Sequence, residues 1–163
     1  MQRRHFLRLT LAGVAGLGLS GCGFRLRGLQ AGGGPEALHL AAANDDLAQA
    51  VRERLDQAGT RLDEAAALRL NLGAERLRER ALGIAESGNR EIELILEVPF
   101  SVQRVADGAY LLPRETLGVR RRLHINEANL LAADDQRREA EAQLRREAAS
   151  RLLERLRPLA GQE

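Results

Sequence analysis

The chain has 163 residues, of which 44% are hydrophobic, 29% charged and 2% aromatic. That length and apolar content suit one domain with a real core and exclude a disordered chain, while so few aromatics exclude a base-stacking surface for single-stranded nucleic acid. The formal charge of +2 is misleading, because Arg3, Arg4 and Arg8 lie in an N-terminal stretch that has no acidic residue. Without those three, the 25 basic residues, every one an arginine, no longer outnumber the 23 acidic ones, so no basic excess supports nucleic-acid binding. Cys22 is the only cysteine, which rules out an internal disulfide and a thiolate zinc site.

Residues 1–21 carry the parts of an export signal in order. Met1-Gln2-Arg3-Arg4-His5 is a positive start, residues 9–19 are apolar, and the small residues Ser20 and Gly21 close the segment. The apolar run is too short for a comfortable membrane span of roughly 20 residues. Leu19-Ser20-Gly21-Cys22 matches the lipobox of bacterial lipoproteins, in which the cysteine becomes the acylated first residue of the mature chain. Arg3-Arg4-His5-Phe6-Leu7-Arg8 also resembles a twin-arginine export signal, and a plain Sec signal accommodates the same residues, so the export route stays open. Each buried acyl methylene adds about 0.8 kcal/mol, so a cysteine bearing three chains is held essentially permanently. Gly23 follows the cysteine; an Asp there is the usual inner-membrane retention signal in enteric bacteria, and its absence points to the outer membrane.

Residues 28–35 (Gly-Leu-Gln-Ala-Gly-Gly-Gly-Pro) read as a flexible tether, with the folded part starting near Glu36. Residues 37–42 alternate weakly and predict a short strand. Asn44 or Asp45 is placed to cap a helix whose apolar face is Leu47, Ala48, Val51, Leu55 and Ala58, ended by Gly59. Leu68, Leu70 and Leu72 alternate with Arg69 and Asn71, predicting a half-buried strand; Gly73 marks a bulge before Leu77, and residues 83–90 read as a loop. The clearest strand follows. Ile92, Leu94, Leu96, Val98, Phe100 and Val102 share one face, while Glu91, Glu93, Glu97, Ser101 and Gln103 share the other. Pro99 within it removes a ladder donor, which predicts an edge strand or a bond facing solvent. Ala106-Asp107-Gly108 predicts a hairpin turn, and residues 110–125 a long returning strand with Leu117, Val119 and Leu123 on one side. Asp134 or Asp135 is the predicted start of a final helix. Its stripe is Ala140, Leu144, Ala148, Leu152 and Leu156, widened by Ala149 and Leu153 and stopped by Pro158. The order is strand, helix, three strands, helix. It predicts an α+β two-layer sandwich with two helices packed on one face of a four-stranded, mostly antiparallel sheet.

Cys22-Gly23-Phe24-Arg25-Leu26-Arg27-Gly28 resembles the start of mature LptE, the lipopolysaccharide-assembly lipoprotein family, which typically reads Cys-Gly-Phe-x-Leu-Arg-Gly after the leader. The later order of elements agrees, including Asp107-Gly108 in the hairpin, then Asn126 and Leu130-Leu131-Ala132 before a long last helix. The resemblance covers essentially residues 21–157. It implies a lipoprotein at the periplasmic side of the outer membrane that plugs the β-barrel LptD, helps it assemble and binds lipopolysaccharide, without catalysis and without a cofactor. The basic residues that contact lipid phosphates in the family fall near Ala85 and Ala133 here and so do not carry over; Arg80, Arg90, Arg137 and Arg138 are the nearby substitutes.

No catalytic or metal constellation stands out. His39 and His124 are isolated, Ser87 and Ser101 have no histidine at a motif spacing, no Gly-x-Ser-x-Gly elbow exists, and the glycines at 32–34 precede no helix. Asp134-Asp135 reads as a helix start rather than a general acid and base. Arg120-Arg121-Arg122 is the dense positive run of the chain after the leader. In a strand Arg120 and Arg122 share a face and Arg121 takes the other. The arginine fork suits lipid phosphates, so these three and Arg90 are the candidate lipopolysaccharide contacts. The competing role for the run is a solvated face paired with Glu91, Glu93 or Glu97. The competing function is a generic outer-membrane lipoprotein that scaffolds the envelope or binds another partner. Replacing Cys22 with Ala is expected to leave unprocessed, unacylated precursor, read by intact-mass spectrometry; a wild-type mature chain found unacylated and starting at another residue would contradict the lipobox assignment.

Overall fold

The computed structural model describes residues 33–84, 89–126 and 129–161. The leader, Cys22, most of the tether and residues 85–88, 127–128 and 162–163 lie outside the described residues. Strand β1 is Ala37–Ala41, helix α1 Asp46–Gln57, β2 Arg61–Leu62, β3 Leu68–Leu72, β4 Arg76–Ile84, β5 Asn89–Arg104, β6 Tyr110–Asn126 and helix α2 Leu130–Leu156, followed by a short 3-10 turn, Arg157–Leu159.

The fold is α+β, as expected, but among the described residues the sheet has six strands and is mixed: β1 pairs β2 and β3 in parallel, and β5 pairs β3, β4 and β6 antiparallel. Strands β3 and β4 lie end to end along one edge of β5. Leu68–Leu72 face 104–100, and Arg76–Ile84 face 97–90. The expected bulge at Gly73 is therefore a break between two strands, and the segment read as loop from residue 83 stays in the sheet to Ile84.

Pro99 explains the break. Its strand is central, not an edge, since both sides of β5 are paired. The Gly73 N–H donates to the Pro99 carbonyl at 2.8 Å. A strand residue turns its nitrogen and its carbonyl to the same side, so the missing donor of Pro99 faces the gap where β3 has stopped and β4 has not begun. A Cβ on residue 73 would stand 2.6 Å from Pro99 Cγ, so only glycine permits this approach.

The apolar stripes meet in one core. Ile92, Leu94, Leu96, Val98, Phe100 and Val102 of β5 are buried against Leu47, Val51 and Leu55 of α1 and Ala140, Leu144, Ala148 and Leu152 of α2. Asp45 caps α1, its carboxylate accepting from the Ala48 N–H at 2.8 Å, and Gly59 leaves the helix at φ +79°. Helix α2 begins a turn earlier than Asp134 because Asn129 caps it, accepting from the Ala132 N–H; Asp134 and Asp135 instead pair with Arg137 and Arg138 one turn on. Gly108, at φ +70°, turns the β5–β6 hairpin, and the Asp107 carboxylate accepts from the Ala109 N–H. That bond holds the Asp107 carboxyl below its ordinary value, with Arg104 adding to the effect.

A second fastening crosses the break. Glu75, between β3 and β4, accepts from both Nε and Nη2 of Arg145 on α2 at 2.7–3.1 Å. Both side chains are more than four-fifths buried, and Asp46 of α1 stands 3.5 Å from the same guanidinium. The Glu75 hydrogen bond raises the Arg145 pKa above its ordinary value against the opposing effect of burial. Leu144 beside it is fully buried, so Leu144→Ala is expected to cost about 2–5 kcal/mol in urea denaturation. A loss within error would contradict the placement of α2 on the sheet.

Candidate functional site

The helices cover one face of the sheet and leave the other open. Strand parity decides what the open face carries. Leu77, Ile92 and Val119 turn to the helices, so their sequence neighbours Arg76, Arg78 and Arg80 of β4, the glutamates of β5 and Arg120 and Arg122 of β6 turn away. The register sets these side chains in rows. Glu93 lies between Arg80 and Arg122, Ile95 between Arg78 and Arg120, and Glu91 opposite His124.

Glu93 is the charged group that this face buries. Its side chain is 3% exposed, against 60% for Arg80 and 67% for Arg122. Arg80 Nη2 donates to its Oε2 at 2.7 Å, and Arg122 Nε stands 3.7 Å from Oε1. A buried carboxylate needs such partners, because burial without them costs several kcal/mol. Arg78 pairs Glu97 at 2.7 Å and His124 lies 4.0 Å from Glu91. Arg120 stands opposite Ile95 and is exposed; among the described residues it has no ion pair.

The four candidate contacts therefore do not form one cluster. Arg120 and Arg122 share the open face. Arg121 lies opposite Leu94 on the helix side, where it borders a recess with Asp135, Glu139 and Gln143 of α2. Glu139 is held below the ordinary carboxylate range by hydrogen bonds from Gln143 and Arg146, with a smaller effect of Arg121. Arg90 is half-buried opposite Ile125, also on the helix side. Of the nearby substitutes, Arg80 is engaged with Glu93, Arg137 with Glu79 of β4 and Asp134 of its own helix, and Arg138 with Asp135. Arg76 and Arg78 were missed as part of this face, although Arg76-Leu77-Arg78-Glu79-Arg80-Ala81 alternates as a strand should. Among the described residues no group of three or more His, Cys, Asp or Glu is arranged to hold a metal, and no helix is long and apolar enough to cross a membrane.

A family model described as LptE, lipopolysaccharide-assembly, matches residues 35–156. No curated protein sequence matches significantly. Among solved structures, rare lipoprotein B from Shewanella oneidensis is 27% identical, with a TM-score of 0.62 over 72% of this chain and 91% of that one. An uncharacterized lipoprotein B from Nitrosomonas europaea is 24% identical, with a TM-score of 0.63 over 80% and 88%. A minor lipoprotein from Acinetobacter baumannii is 19% identical, with a TM-score of 0.63 over 76% and 91%; these last two show likeness of fold.

The geometry ranks the arginines around Glu93. Arg80→Ala removes a short charged hydrogen bond and is expected to cost about 1–3 kcal/mol. Arg122→Ala removes a longer, exposed contact and is expected to cost at most about 1 kcal/mol. Thermal or urea unfolding of the two variants checks the order, and equal losses would show that Glu93 does not depend on the close pair.

Proposed function

This chain belongs to LptE, a non-enzymatic lipopolysaccharide-assembly lipoprotein family, and we propose that it works at the periplasmic side of the outer membrane as the plug, assembly aid and lipopolysaccharide-binding subunit of the β-barrel LptD. Cys22 is its acylated anchor once residues 1–21 are removed, residues 22–35 form the lipidated tether, and residues 36–163 form the working domain.

The observation that carries the binding part is the charge left over on the open sheet face. Of the β5 glutamates, Glu93 is shared by Arg80 and Arg122, Glu97 pairs Arg78 and Glu91 faces His124, while Arg120 has no carboxylate partner among the described residues. An arginine fork donates two parallel hydrogen bonds to a phosphate, which a lysine ammonium does not reproduce. Arg120 is the first contact in this reading. Arg122 follows, because its 3.7 Å contact with Glu93 is loose enough to be shared. Arg121 and Arg90 extend the contact around the β6 edge to the helix side. Lipopolysaccharide on its way through the barrel supplies the phosphates, and the barrel supplies the surroundings in which they are met.

Two measurements test this. Purification of the full-length protein from detergent-solubilised outer membranes is expected to bring down a large β-barrel protein; recovery with no barrel favours a free-standing envelope scaffold. Replacing Arg120, Arg121 and Arg122 together with Ala is expected to weaken lipopolysaccharide binding by about tenfold or more, as loss of one charged hydrogen bond suffices for that factor, with the melting temperature nearly kept. Unchanged affinity with a lowered melting temperature would leave the run a purely structural element.

A further inference from the structure

The open face has a second polar feature, at the end of the sheet away from Glu93. The break between β3 and β4 leaves a gap on one flank of β5 beside Pro99. On the other flank the β5–β6 register shifts between Phe100 and Val102 and again between Val102 and Gln103. Between the gap and the shifts lies an open depression of about 350 Å³, whose polar lining is Asn71, Ser101, Gln103, Tyr110 and Arg114. The Asn71 side-chain amide donates to Ser101 Oγ at 3.3 Å and to Gln103 Oε1 at 2.9 Å. That network fixes the floor and leaves the Gln103 amide N–H groups as donors, and Asn71 Oδ1 as an acceptor, without partners among the described residues. Tyr110, 60% exposed, forms the rim. Arg114 is exposed and has no ion pair among the described residues; the same holds for Arg69, which lies opposite Gln103 on β3.

We infer that this depression is a saccharide subsite for a sugar bearing a carboxylate or other anionic group. Mixed amide donors and acceptors match the two-way hydrogen bonding of sugar hydroxyls, an aromatic rim offers an apolar face to a sugar ring, and an arginine without a counterion calls for an anion. A simple phosphate accepts from Arg114 and the Gln103 amide but leaves the Asn71 Oδ1 acceptor and the tyrosine rim unused. The inference rests on the lipopolysaccharide reading and deepens it: Arg120 and Arg122 meet lipid phosphates, and this pocket meets the acidic sugar portion of the same glycolipid.

The chain has one tyrosine and no tryptophan, so tyrosine emission of the full-length protein, in a detergent without aromatic groups, reports on this pocket. The probes are oligogalacturonate, the matching neutral galactose oligomer, inorganic phosphate and an acidic peptide. Oligogalacturonate is expected to change the emission saturably. The neutral oligomer, phosphate and peptide are each expected to bind at least about tenfold more weakly, the factor that one charged hydrogen bond supplies. Arg114→Ala is expected to remove most of the preference for the acidic over the neutral sugar at an unchanged melting temperature, and Gln103→Ala to weaken both sugars alike. Equal responses to the acidic and neutral sugars, a phosphate or peptide response as strong as that of oligogalacturonate, or an Arg114→Ala variant that keeps its preference would each overturn the inference. Parallel binding to intact lipopolysaccharide separates the two readings. Lipopolysaccharide binding without a sugar response rejects this pocket alone, and a sugar response without lipopolysaccharide binding rejects the broader function while the pocket's chemistry stands.

Discussion

Everything in this fold is arranged around the two unlike faces of β5. One face is apolar from Ile92 to Val102 and must be covered, because that much aliphatic surface contributes to stability only when removed from water. Both helices are drawn to that side, where their own stripes complete a single core. The other face carries Glu91, Glu93 and Glu97, and the strands that flank it answer with arginines. Strand parity alone thus separates the covered apolar side from an open side that carries these charges.

The length of β5 creates a second demand. A 16-residue strand needs partners along both edges, and Pro99 cannot donate to the ladder. The edge facing β3 and β4 is interrupted where the donor is missing, Gly73 lets the two backbones close up, and Arg145 ties the interruption down through Glu75. Interrupted ladders elsewhere in proteins often re-aim side chains next to functional sites; here the interruption opens the polar depression at Asn71, Gln103 and Arg114.

Much of this was legible in the sequence. The β5 stripe, the helix stripes and the Asp107-Gly108 turn are strong periodic or steric signals, and the buried positions are the ones they indicate. Strand β4 was legible only as a continuation past a bulge at Gly73 and not as a strand of its own, because its helix-facing positions Leu77, Glu79 and Ala81 offer little apolar surface and glycines at 73 and 83 resemble loop markers. The start of α2 was obscured by Leu130 and Leu131, which are exposed at 70% and 80%, while the adjacent acid pair resembles a cap. The candidate site depends on register, which period-two reasoning does not supply. An unbroken ladder from the Gln103–Tyr110 pair would set Glu93 opposite Arg120. The two register shifts set Arg122 there instead and leave Arg120 opposite Ile95. Which arginine is neutralised and which is free is thus decided by local irregularities of the hairpin.

The account makes the open sheet face, and not the outer surface of the helices, the side that meets anionic glycolipid. Site-specific photo-crosslinking in living cells tests this most directly, with the reactive side chain placed at Thr116, on the open face between Arg114 and Arg120, or at Arg146, on α2. The account predicts a lipopolysaccharide adduct from position 116 and none from position 146. An adduct from 146 with none from 116 would contradict it.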